Sequence, residues 1–156
     1  MSYEIRTLKV EAKPTATIRL DVPHARLGAV FGEVLPEIFT WVGKQGYGAV
    51  FPPFGIFHGM SDGLWDLEAG VAVEKAFTEG EGRIKPSSTP DGEAAFTIHV
   101  GPYDKLGDAH DALRAWCAEN DRKTTGIAWE YYVNDPGELP PEEWKTEVYL
   151  QLTGRL

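Results

Sequence analysis

The sequence predicts an α+β fold built from duplicated strand–strand–helix–strand–strand (βαββ-type) halves, and three observations carry that prediction. A phrase of the form W-x-x-E-x-x-aliphatic-x-aliphatic occurs twice, as Trp65-Asp66-Leu67-Glu68-Ala69-Gly70-Val71-Ala72-Val73 and as Trp144-Lys145-Thr146-Glu147-Val148-Tyr149-Leu150-Gln151-Leu152, 79 residues apart. Pro23-His24 and Leu27-Gly28 keep the same offset to Pro102-Tyr103 and Leu106-Gly107. In both halves, strand-period segments flank one segment of helical period. Landmarks in register argue for an internal duplication, with half-repeats about 1–78 and 79–156 of a single domain.

The elements follow in order. Tyr3 to Glu11 alternates loosely and reads as a strand. Lys13-Pro14 punctuates it, and Thr15 to Val22 continues as its hairpin partner. From Ala25 the period changes: Leu27, Val30, Phe31, Val34, Ile38, Trp41 and Val42 share one helical face. Pro36 removes a backbone donor inside that pattern and predicts a kink or a break. Ala49 to His58 is a strand made irregular, or confined to an edge, by Pro52-Pro53. Leu64 to Val73 closes the first half.

The second half opens on a weak strand, Gly82 to Lys85, a loop from Pro86 to Gly92 and a strong strand from Ala94 to Val100. Asp104 is placed to cap a helix whose apolar face is Leu106, Ala109, Leu113, Trp116 and Cys117. Ala128 to Asn134 is the next strand, the loop from Asp135 to Pro141 follows, and Lys145 to Leu152 is the last strand. One helix per sheet leaves the other sheet face free. Two such halves related by a pseudo-twofold axis would enclose a central ligand cleft between antiparallel sheets.

Alternation assigns the repeated strands to faces. Val148, Leu150 and Leu152 belong against a helix, which turns Glu147, Tyr149 and Gln151 to the free face. The first copy gives Leu67, Ala69, Val71 and Val73 to the core. Glu68, Gly70 and Ala72 then lie on the free face, where the small residues would leave room. The strand Trp129-Glu130-Tyr131-Tyr132 is aromatic on both parities, so alternation alone does not orient it. A carboxylate ringed by aromatic side chains suits a lipophilic cation, through charge and cation–π attraction. Trp65 and Trp144 read as packing or rim residues, and Trp41 and Trp116 as core.

Composition narrows the function classes. The 25% charged and 42% hydrophobic residues describe an ordinary globular chain. With 15 basic against 24 acidic residues the net charge is −9, which repels nucleic acid and anionic membranes, so no direct nucleic-acid binding and no membrane partner are expected. Lone Cys117 excludes an internal disulfide, and the start lacks a signal-peptide pattern; both fit a cytoplasmic protein. His24, His58, His99 and His110 are far apart without i,i+4 spacing, which gives no support to a metal site. No phosphate-binding glycine loop, dinucleotide fingerprint or nucleophile elbow occurs, and no cofactor is expected.

Gly101-Pro102-Tyr103, Trp116, the run from Glu130 to Pro136 and the run from Pro140 to Tyr149 together resemble the GyrI-like small-molecule-binding domain family. That family includes the bacterial gyrase inhibitory protein and the effector-binding domains of multidrug-responsive transcription regulators. The Trp65–Val73 segment is also similar to the end of the gyrase inhibitory protein. The resemblance implies a duplicated βαββ-type fold with an acidic cleft that takes cationic aromatic compounds. It implies Glu147 as the cleft glutamate, with Tyr149 two residues on. It also favours Glu130 and Tyr132 as the cleft-facing parity of their strand. Phe57 takes the matching place in the first half, with Glu68 as the repeated carboxylate. His24 departs from the family pattern, standing where the first copy would carry a tyrosine.

Three functions compete at this point. The first is a stand-alone effector-binding-like module for lipophilic, cationic aromatic molecules. The second, implied by stand-alone relatives, is a hydrolase of cyclopropane-bearing genotoxins in which Glu147, Glu68 and Tyr149 or Tyr132 serve as acid and base. The third is a gyrase-inhibitor-like module acting on a protein partner, a regulator or gyrase.

Overall fold

The two sequence periods resolve into eight strands and two helices over the described residues, 3–134 and 137–155 of the computed structural model. Their order is β1 (Arg6–Val10), β2 (Pro14–Pro23), α1 (Leu27–Gln45), β3 (Ala49–Ser61), β4 (Leu64–Val73), β5 (Lys85–Ser88), β6 (Gly92–Val100), α2 (Leu106–Glu119), β7 (Arg122–Tyr132) and β8 (Lys145–Arg155). Asp135-Pro136 of the family-like run lies outside the described residues. Among the described residues no helix is long and apolar enough to cross a membrane.

The chain divides into two compact units, one of Glu11–Pro90 and one of Met1–Val10 with Asp91–Leu156. In the first, antiparallel strands run in the order β5-β2-β4-β3; in the second the order is β1-β6-β8-β7. The expected hairpin between the first two strands does not form. β1 pairs instead with β6, Arg6 opposite Phe96, and β5 takes the place beside β2, Thr17 opposite Lys85. The residues before β1 account for this. Tyr3 and Ile5 pack on the core under α2, and the Tyr3 O–H donates to buried His99 Nδ1 at 2.9 Å. The ring's Nε2–H then donates to the Pro102 carbonyl at 3.1 Å, which sets the tautomer. β5 also falls later than the expected weak strand, because Glu81 and Ile84 close a tight turn through mutual backbone bonds of 3.1 and 3.0 Å.

Helix α1 passes through Pro36 without a break. Pro36 and Gly32, whose carbonyl loses its donor, are both on the exposed side, where water replaces the missing bond. Buried Val34 and Ile38 continue on the other side. Asp104 does not cap α2. It sits in a 3₁₀ turn, Tyr103–Lys105, and no side chain caps the N-terminus of the helix that follows. A matching 3₁₀ turn, His24–Arg26, precedes α1. β3 is irregular as expected, its register slipping between Val50 and Phe54 and again between Phe57 and Gly59. Asp62 and Gly63, with φ of 53° and 76°, form the two-residue turn into β4, since both positions need left-handed backbone.

Each helix covers one face of its own sheet. Val30, Val34, Ile38, Trp41 and Val42 of α1 pack on Ile18, Leu67, Ala69 and Val71. Leu106, Ala109, Leu113 and Cys117 of α2 pack on Ala95, Val148, Leu150 and Leu152. The helix-facing parity read from both repeated strands is the one observed. Trp41 is core, whereas Trp116 is half-buried against its edge.

Candidate functional site

Cross-strand partners in an antiparallel sheet share a face, so register decides which side chains meet. Glu147 lies opposite Ile98 on one side and Tyr131 on the other. Tyr149 lies opposite Phe96 and Trp129. Because Val148 and Leu150 face α2, this whole set occupies the face of the β1-β6-β8-β7 sheet that the helix leaves free.

The free face is aromatic around one carboxylate. Tyr149 stacks parallel on Trp129 at 5.1 Å, meets Phe96 at 4.9 Å and takes the edge of Tyr131 at 5.9 Å. Its O–H donates to Glu147 Oε1 at 3.2 Å. Arg6 lies over the Phe96 ring at 5.2 Å. Glu147 and Tyr131 are half-buried, and Ile98 and Val100 beside them are each 45% exposed.

Burial, and secondly the Glu147 carboxylate, hold the Tyr131 phenol above its ordinary value and push that of Tyr149 well above it. Burial, then Glu130, does the same for Tyr132, and burial, then Asp108, raises Tyr3. A raised phenol keeps its proton more tightly in the folded than in the unfolded chain. The stability it contributes is therefore intact below about pH 10, the ordinary tyrosine value, and is lost as pH rises beyond it. In an alkaline absorbance titration, Tyr132 and Tyr149, the two most strongly raised of the six tyrosines, should ionise only as the protein unfolds. Ionisation of all six with the fold intact would contradict this arrangement.

The remaining residues singled out in the sequence do not join Glu147 and Tyr149. Glu130 and Tyr132 have the opposite parity to the one expected. They lie across from Val148 and Thr146 and face α2, where His110 Nε2–H donates to Glu130 Oε2 at 2.6 Å and the Tyr132 O–H to Oε1 at 2.6 Å. The helix supplies the reason: His110 stands four residues after Leu106 and three before Leu113, on the buried face of α2, and needs a polar partner there. Phe57, opposite Leu67, belongs to the core under α1 and packs edge-on against Trp65 at 5.3 Å. Glu68 does lie on the helix-free face of its own unit, 5% exposed. Thr17 O–H donates to its Oε2 and His58 Nε2–H to its Oε1, both at 2.8 Å. Gly70 leaves no room beside it, since a Cβ there would fall 2.2 Å from the Ala16 carbonyl oxygen.

Trp129, Tyr131, Phe96 and Ile98 complete the free face without having been singled out as site residues. The signal that finds two of them is His110 on the apolar stripe of α2. It assigns Glu130 to the helix side and so turns Trp129 and Tyr131 to the other. Among the described residues no group of three potential ligands is placed to hold a metal ion.

The comparisons with known proteins agree with this architecture. The chain is similar to the crystal structure of the EcmrR C-terminal domain, at 26% identity and a TM-score of 0.85, over 98% of this chain and 99% of that one. It is similar to EcmrR in a cryo-EM complex with DNA, at 25% identity and a TM-score of 0.81. The match there covers 96% of this chain and 57% of EcmrR, so this chain spans little more than half of that protein. A hydrolase from Listeria innocua shares the fold at 15% identity and a TM-score of 0.66, over 96% of this chain and 92% of that one. No curated protein matches the sequence. The model of the GyrI-like small-molecule-binding domain matches residues 1–153, and the chain belongs to that family.

Proposed function

We propose that the domain binds lipophilic, cationic aromatic compounds on the free face of the β1-β6-β8-β7 sheet, as an effector-binding module built from two copies of one βαββ plan. The observation that carries this reading is Glu147: a half-buried carboxylate with Tyr131 opposite and Tyr149 donating to it, next to the Trp129–Tyr149 stack. A bound cation gains charge attraction that strengthens as water leaves, and ring contacts worth up to about 2 kcal/mol when desolvated. The net charge of −9 disfavours phosphate contact by this domain, so binding is read out through another protein surface.

Glu147→Gln tests the reading, because it keeps shape and removes charge. Tryptophan fluorescence should report an affinity for tetraphenylphosphonium at least tenfold weaker in the variant, about 1.4 kcal/mol. Affinity for neutral triphenylphosphine oxide should change less than about twofold. Equal losses for both compounds, or no saturable binding by the parent, would remove the electrostatic argument.

A further inference from the structure

The two units carry a carboxylate at equivalent places but surround it differently. β2 with β4 and β6 with β8 run in the same register when 79 is added to each residue number: Arg19 opposite Glu68 becomes Ile98 opposite Glu147, and Asp21 opposite Asp66 becomes Val100 opposite Lys145. Around Glu68 the neighbours are charged, and Arg19 is bonded to Asp66 by two hydrogen bonds, of 2.9 and 2.8 Å. Both Glu68 oxygens already accept a hydrogen bond, and the group is buried. Around Glu147 the places of Arg19 and Asp21 are taken by exposed Ile98 and Val100. Among the described residues Glu147 accepts only the longer bond from Tyr149, on Oε1, which leaves Oε2 open.

Resting on the reading above, we propose that ligand binding is one-sided: each chain takes one monocation, at Glu147, with Ile98 and Val100 as the residues that select its apolar substituents. Glu68 is a closed carboxylate that fastens His58 and Thr17 and takes no part. A single open carboxylate compensates a single charge. Lys145 lies two residues from Glu147 on the same face, about 7 Å along the strand, and opposes a second positive charge there. Two exposed aliphatic side chains on alternate positions of one strand then give the rest of the ligand an apolar seat.

Calorimetric titration of the full chain with tetraphenylphosphonium separates the possibilities. The expected results are one site per chain, Glu68→Gln within twofold of the parent, and Ile98→Arg at least tenfold weaker. The new guanidinium would stand opposite Glu147 and neutralise it from within. Ile98→Lys carries the same test if the arginine variant does not fold. Two sites per chain, a loss in Glu68→Gln equal to that in Glu147→Gln, or an Ile98→Arg variant that binds like the parent would overturn the one-sided site while leaving a cation-binding domain. A parent that binds no tetraphenylphosphonium, or that binds it no better than Glu147→Gln, would overturn the underlying reading and this inference with it.

Discussion

Gly70→Ala is expected to cost about 3 kcal/mol, the upper end for overpacking, and to lower Tm by roughly 6–12 °C for a domain of this size. The added methyl would lie 2.2 Å from the Ala16 carbonyl oxygen and 2.7 Å from Thr17 Cγ2. The nearest atom is backbone of a paired strand, so relief requires β2 and β4 to move apart. That movement would loosen the Thr17–Glu68 bond next to it. Gly43→Ala is the control. It lies inside α1 with nothing within 4 Å of its Cβ direction, and alanine there should stabilise by about 0.5–1 kcal/mol. Thermal melts of the two variants should therefore shift in opposite directions. A Gly70→Ala melt indistinguishable from the parent would mean that the strands are not packed this closely.

His110→Ala should cost about 3–5 kcal/mol, because it takes the donor from a carboxylate that is 5% exposed. Water reaches Glu130 poorly, and the remaining donor, Tyr132, serves only Oε1. The variant is thus left with a buried charge in place of a bonded pair. Adding Glu130→Leu to His110→Ala should recover part of the loss, since an apolar replacement of both partners leaves nothing unsatisfied. Urea denaturation of the single and double variants measures the coupling. Simple addition of the two single losses would show that the pair is not a unit.

Much of this fold is legible in the sequence, for identifiable reasons. A strand with one aliphatic parity, such as Val148-Tyr149-Leu150-Gln151-Leu152, states its own orientation, and a duplicated phrase states it twice. Both helices appear where Leu27 and Leu106 begin an apolar stripe. Two of the differences, the pairing of β1 and the orientation of β7, depend on a partner far away in the chain. β1 looks like half of a hairpin because only its own alternation is visible, while Tyr3 finds His99 96 residues on. Trp129-Glu130-Tyr131-Tyr132 has no apolar parity, and its orientation is set by a histidine on a helix. Pro36 differs for a local reason: backbone chemistry alone predicts a kink or break, whereas solvent on that side of α1 makes the missing bond tolerable. On the helix-free face, Glu147 and Tyr149 are legible because alternation reaches them. Phe96 and Ile98 are not, because only pairing register brings them there.

The exchange of edge strands has a consequence for how the chain reaches this state. β1 leaves the ribosome well before β6 and must wait for Phe96 to appear, 90 residues after Arg6, before it has a strand to join. Glu11–Pro90 by contrast is contiguous and holds every strand of its own sheet. During synthesis that unit can close early, with β1 still unpaired, and the other unit forms only after the chain has returned. Long-range closure of this kind is slow relative to local pairing. A fragment spanning 11–90 should fold on its own far more readily than one spanning 91–156, which lacks its first strand.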